Sequence, residues 1–221
     1  LWKFMQQFNV ADPAEMPVTM AQGLFGYTTF DAVQFFEDIV FKSTESDAPS
    51  KKSNQPSIPL VRYRLYQYVI AINHFKNELF ICENHIKGIE SEVDLIESLI
   101  RSKDVPAYPF SAKGNETSPI SDEEYKTMVK KGIASCARGD VFQVVLSRKF
   151  QQKFSGDEFN VYRALRNINP SPYLFYFDYG DYRLFGSSPE SQLIVKNNHA
   201  VVHPIAGTFR RTGNDSKDEQ L

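Results

Sequence analysis

The last quarter of the chain sets the tightest limit on its fold. From Tyr173 onward four apolar runs follow one another, YLFYFDY, YRLFGSS, SQLIVKNN and HAVVHPIAGT, with only short polar breaks between them. Aromatic and β-branched residues suit a pleated, half-buried strand. Breaks this short join antiparallel neighbours, because a parallel connection needs a crossover of a dozen residues or more. The last two runs meet across Asn197-Asn198. A similar pair stands earlier, where RYRLYQYVIAINHF meets NELFICEN across Lys76-Asn77. GLFGYTTFD reads as a strand with a tight bend, and VFQVVLSRKF as a short apolar strand.

Helical spacing appears between these runs. DAVQFFEDIVF carries Val33, Phe36, Ile39 and Val40 near helical spacing, with Asp31 as its N-cap. ESEVDLIESLIRS sets Val93, Ile96, Leu99 and Ile100 along one helix. SDEEYKTMVKKGIASCARGD opens with a Ser121/Glu124 capping box and ends at Gly139. EFNVYRALRNIN puts Val161, Leu165 and Ile168 on one face, and Asn169-Pro-Ser-Pro stops it. Residues 1–20 read as a linker remnant, 43–57 as a loop and 102–120 as a second linker. The predicted class is α+β, antiparallel sheets with helices packed on the outside, in two regions, 1–120 and 121–221.

Composition narrows the function. The apolar share of 42% is enough to fill a core, which argues against a disordered chain. A net charge of −2 gives no basic surplus for nucleic acid or an anionic membrane, and the cations from Lys149 to Lys153 read as a solvated face. No apolar run approaches the ~20 residues that span a bilayer. Cys82 and Cys136 fit two reduced structural thiols and a cytoplasmic setting. His74, His85, His199 and His203 have neither metal-ligand nor triad spacing.

Three segments place one polar group in or at the end of an apolar strand: Gln143 in GDVFQVVLSRKF, Glu190 in LFGSSPES and Thr208 in HAVVHPIAGTFRR. Polar groups so placed on a rigid sheet are a common way to hold a small polar substrate. Each also has a plainer reading. Glu190 could be an exposed turn glutamate, Gln143 the outward residue of an alternating strand, and Gly207-Thr208 a strand end. NPSPYLFYF could be a helix stop followed by a strand start.

Taken together and in this order, the three segments resemble those of the chorismate-utilising enzymes, specifically the large subunit, component I, of anthranilate synthases. The resemblance runs from GLFGYTTFD onward and is strongest from Gly139 to Arg211. It implies a lyase of tryptophan biosynthesis that converts chorismate and ammonia to anthranilate and pyruvate. The ammonia would come from glutamine through a separate amidotransferase subunit, component II. Glu190 would be the general acid at the ring 4-hydroxyl, and Gly207 and Thr208 would contact substrate carboxylates. Relatives that add water carry lysine at the position of Gln143. An amide cannot take up a proton usefully at neutral pH, which suits ammonia as the nucleophile. Aminodeoxychorismate synthases, the nearest alternative, typically read PIKGT, whereas Ala206 stands here.

The resemblance further implies a tryptophan feedback site containing Asn169, Pro170, Ser171, Pro172, Tyr173, Leu174, Phe175 and Gly186. Leu174 replaces the methionine frequent there. A non-catalytic module binding tryptophan or a partner is the alternative from another class. The family also carries an LLES-type segment before this region, and an EH-x-MLVDL-x-RND motif and a C-terminal glutamate after it. Those later segments hold Mg²⁺ and a catalytic histidine, and nothing in this sequence matches them. Residues 1–120 would then close an N-terminal regulatory region and 121–221 open the chorismate-binding catalytic domain. The chain by itself is expected to be inactive.

Overall fold

The computed structural model describes residues 2–8, 21–41, 58–103, 105–106, 108–191, 193–196, 198–205, 207 and 210–220. The chain divides into two compact units. One comprises Leu1–Pro106 with Tyr179–Tyr182, the other Ala107–Asp178 with Arg183–Leu221.

In the first unit, α1 is the single turn Trp2–Met5, within the stretch expected to be a linker. Strand β1 (Phe25–Thr28) pairs antiparallel with β2 (Val61–Arg64), and β3 (Tyr68–Asn73) with β4 (Glu78–Glu83). The bend expected in GLFGYTTFD lies before the strand, at Gln22–Gly23, and Gly26 serves a close approach within an unbroken β1. A Cβ on Gly26 would lie 2.0 Å from the Arg62 carbonyl oxygen, so only glycine lets β2 come this close. The β3–β4 hairpin turns where the sequence indicated. Asn77 is left-handed (φ 54°), and Asn73 Oδ1 accepts the amides of Phe75 and Lys76. RYRLYQYVIAINHF, read as one strand, is two, broken at Leu65–Gln67. Helix α2 (Val93–Arg101) follows, with Val93 and Ile96 half-buried.

DAVQFFEDIVF departs from expectation. It forms a 3₁₀ helix, Phe30–Phe35, whose N-cap is Thr29 and not Asp31. Thr29 makes no side-chain cap, and its buried Oγ1 has no hydrogen-bond partner. Without a cap, and with Phe30 83% exposed, little favours a wider α-helix over these few residues.

The second unit opens with strand β5 (Phe110–Thr117), where a linker was expected. Its partner is β6 (Gln151–Gly156), an antiparallel strand far along the chain. Helix α3 (Asp122–Arg138) lies between them and has the predicted termini. Ser121 and Glu124 form the capping box, and Gly139 closes the helix in the left-handed region (φ 80°). VFQVVLSRKF is not a ladder strand. Residues 141–150 have no regular secondary structure, with a bend at Phe142, and pair with none of the described strands; the ladder starts only at Gln151. Helix α4 (Phe159–Ile168) precedes the antiparallel hairpins of β7 (Tyr173–Asp178) with β8 (Arg183–Ser188) and β9 (Ile194–Lys196) with β10 (His199–Val201). The chain ends in the short helix α5 (Asp215–Asp218).

The expected architecture holds: small antiparallel sheets with helices. Among the described residues Ala21, Ala32 and Tyr179 are buried, while many large apolar side chains stay open.

Candidate functional site

The best-built polar and aromatic cluster of the second unit gathers on α4, β7 and β8. Tyr176 and Phe185 face each other across the ladder and stack at 5.7 Å. Phe159 and Tyr162 of α4 close over them with ring centroids 5.0 and 5.4 Å from Tyr176. Glu158, just before α4, takes an ion pair from Arg183 at 2.7 Å, and Arg183 also reaches Asp178 at 3.2 Å. Tyr176 Oη donates to Glu158 at 3.3 Å. Burial, then the Glu158 charge, pushes the Tyr176 phenol above its ordinary value. This cluster fixes α4 against the hairpin.

The predicted tryptophan segment sits at the end of that arrangement. Asn169 terminates α4, and its amide donates to the Leu165 carbonyl. Ser171 Oγ donates to Asn169 Oδ1 at 3.1 Å, and Ser187 Oγ of β8 donates to the Asn169 carbonyl at 2.6 Å. Pro170 and Pro172 are exposed, and Tyr173 begins β7. Leu174 is half-buried, and Phe175 pairs across the ladder with Gly186. The Phe175 ring covers that glycine closely: a Cβ on Gly186 would meet it at 2.6 Å. Structure therefore brings Asn169–Phe175 and Gly186 together. Ser187 and the ring-over-glycine pair are additions to the sequence reading. Their signal was the alignment of YLFYF with RLFGS, which requires the register.

The predicted catalytic groups lie on separate segments. Glu190 follows β8, is exposed, and its amide donates to Ser188 Oγ at 3.2 Å. Gln143 is exposed on the unpaired run 141–150, so its mid-ladder placement is corrected: no partner strand among the described residues flanks it. Gly207 is exposed beyond β10, while Ala206 and Thr208 fall outside the described residues. No hydrogen bond among the described residues links Gln143, Glu190 and Gly207. Arg148, just before the basic stretch from Lys149 to Lys153, is a residue that sequence reasoning missed. Its side chain is in fact only 16% exposed and pairs with Asp122 at 2.6 Å.

Among the described residues no group of three or more His, Cys, Asp or Glu gathers as metal ligands. These side chains thus form no set that suits a divalent cation. No helix among them is long and apolar enough to cross a membrane.

Comparison with known proteins settles the family. The sequence profile described as "chorismate binding enzyme" matches residues 1–221, the whole chain. The chain belongs to the chorismate-binding enzyme family. It is 34% identical, over 98% of its length, to the anthranilate synthase component 1 of Acetivibrio thermocellus, of which it covers 45%. It is 31% identical over 99% of its length to a chloroplastic anthranilate synthase alpha subunit 2 of Arabidopsis thaliana, covering 38% of it. The crystal structure of anthranilate synthase component I from Streptococcus pneumoniae matches with a TM-score of 0.66 at 25% identity, over 88% of this chain and 45% of that one. The chain thus spans less than half the length of these relatives. The resemblance expected from VFQVVLS, SPES and PIAGT is borne out at the level of this chorismate-binding family.

Proposed function

We propose that the complete protein is an anthranilate synthase component I. Chorismate and ammonia would give anthranilate, pyruvate and water, with ammonia delivered from glutamine by an amidotransferase subunit. The observation that carries this reading is the match, over almost the whole chain, to relatives named anthranilate synthase component 1. Ammonia adds at ring C2. Glu190 gives its proton to the departing 4-hydroxyl, which leaves as water. Gln143 presents an amide that cannot serve as a base toward water, so the nucleophile must arrive already nucleophilic. Elimination of pyruvate then restores the aromatic ring. Gly207 lets the backbone approach a substrate carboxylate, and Thr208 donates its hydroxyl to it.

Residues 1–120 close a regulatory region and 121–221 open the catalytic domain. Tryptophan binds against Asn169–Phe175 and Gly186 and inhibits. Mg²⁺ would neutralise carboxylate charge in the complete enzyme, held by residues outside this chain. The protein works in the cytoplasm, and the 221-residue chain alone does not turn over.

The test is anthranilate fluorescence from the complete enzyme with chorismate, Mg²⁺ and ammonium, beside Glu190→Gln. Loss of a general acid should slow the variant by about two to four decades. Aminodeoxychorismate as product, or an unimpaired variant, would refute the assignment.

A further inference from the structure

The run from Val141 to Phe150 makes no ladder with a described strand. A strand's register is ordinarily set by its ladder and by which alternate side chains are buried. Here α3 supplies the fixing contacts. Gly132 of α3 leaves room for Val144 and Leu146: a Cβ there would lie 3.3 Å from one and 3.7 Å from the other. Tyr125 Oη donates to the Leu146 carbonyl at 3.3 Å. Arg148 then closes the series. It pairs with Asp122 at 2.6 Å, donates from Nε to Ser118 Oγ at 3.1 Å, and lies 4.6 Å from the Phe150 ring centroid. Ser118 is itself held, donating to the Ile120 carbonyl at 2.9 Å and accepting the Ile120 amide at 3.3 Å.

These contacts fall on alternate residues, 144, 146 and 148. Leu146 and Arg148 are half-buried and Val144 is 45% exposed, while the intervening Gln143, Val145 and Ser147 are exposed. A slip of one residue would turn Gln143 toward α3 and offer Lys149 to Asp122 instead. Lysine is a point charge and cannot bond Ser118 and Asp122 as a fork while stacking on a ring. The adjacent cations Arg148 and Lys149 are therefore not equivalent, and the correct register is the one arginine can satisfy.

We propose that Arg148 is a positioning residue that locks the register of the Gln143 segment through Ser118 and Asp122. This rests on the reading of Gln143 as a site residue. The Arg148 side chain is engaged by Asp122 and Ser118, so it acts through the segment and not on the substrate.

The experiment is a double-mutant cycle in the complete enzyme, with chorismate and ammonium, comparing wild type, Arg148→Met, Gln143→Ala and the double variant. Arg148→Met should lower kcat about 10²-fold, as a misplaced group does, with little change in KM for chorismate. It should add little once Gln143 is already alanine. Arg148→Lys should recover part of the loss. Asp122→Asn breaks the same pair from the other side and should show the same split, which covers the case in which Arg148→Met does not fold. Multiplicative effects of the two substitutions, or an unchanged kcat in Arg148→Met and Asp122→Asn, would overturn the lock while leaving the function intact. A wild type that consumes no chorismate would overturn the functional reading, and the lock with it.

Discussion

Gly186→Ala is the sharpest test of how the β7–β8 hairpin is built. The new methyl carbon would stand 2.6 Å from Phe175 Cζ and 2.9 Å from Cε1. Carbon pairs ordinarily rest ~3.5–4.0 Å apart, so the ring must retreat by about 1 Å. Overpacking of this kind costs about 1–3 kcal/mol. Alanine in a strand regains about 0.5–1 kcal/mol of the entropy that glycine loses on folding. The difference leaves a net loss of about 1 kcal/mol, equivalent to roughly fivefold more frequent opening of the hairpin. Amide exchange followed by mass spectrometry reads this directly on Tyr173–Asp178 and Arg183–Ser188, the two strands of the ladder. Exchange should quicken about fivefold in Gly186→Ala, and far less when Phe175→Leu accompanies it. Slower exchange, or an equal penalty in both backgrounds, would refute the claim that the ring-over-glycine contact holds this register. The same variant should weaken inhibition by tryptophan in the complete enzyme, because the ring displaced is part of the proposed inhibitor site.

Three further outcomes follow from the local geometry. Ser121→Ala removes the acceptor of the Glu124 amide, and α3 should lose about 1 kcal/mol, whereas Ser121→Gly should lose only a few tenths. Equal chemical-denaturation midpoints for the two would contradict the capping assignment. Acid should weaken the same helix end. The Ser121 hydrogen bonds hold the Glu124 carboxyl below its ordinary value, and Arg148 does so for Asp122. Folded-state values that are depressed contribute stability above the ordinary carboxylate values of 4.5 and 3.8, and lose it as pH falls through the lower folded ones. Amide exchange of α3, corrected for its intrinsic pH dependence, should show protection falling there, and protection constant down to the lowest pH would contradict it. Gly26→Ala drives a Cβ to 2.0 Å from the Arg62 carbonyl oxygen, a backbone atom that cannot yield without opening the β1–β2 ladder. Protection of that ladder should collapse, a loss upward of ~3 kcal/mol, and intact protection would show that β2 can move.

The division between sequence and tertiary structure follows the range of the interactions. Helix α3 was legible because its start and stop are local: Ser121 with Glu124 three residues on, and Gly139 free to take a left-handed conformation. The β3–β4 and β9–β10 hairpins were legible because Asn77 and Asn198 accept positive φ at the turns, which places the strands opposite each other. The site residues were legible through a family resemblance, which assigns roles but not surroundings.

What sequence could not decide depends on partners distant along the chain. Residues 110–117 have no strand signal strong enough to outweigh the prolines before them, yet they pair with β6 from Phe110↔Gly156 onward. VFQVVLSRKF has every local mark of a strand, but a strand is defined by its ladder, and none of the described strands supplies one. DAVQFFEDIVF has helical spacing, but with Thr29 uncapping and its phenylalanines exposed, packing does not carry it past a 3₁₀ turn. Arg148 reads as one more surface cation until Ser118 and Asp122 are seen to meet it. Local hydrogen bonds and backbone preferences can be read residue by residue, whereas burial and pairing belong to two segments at once. Only the tertiary structure brings the two together.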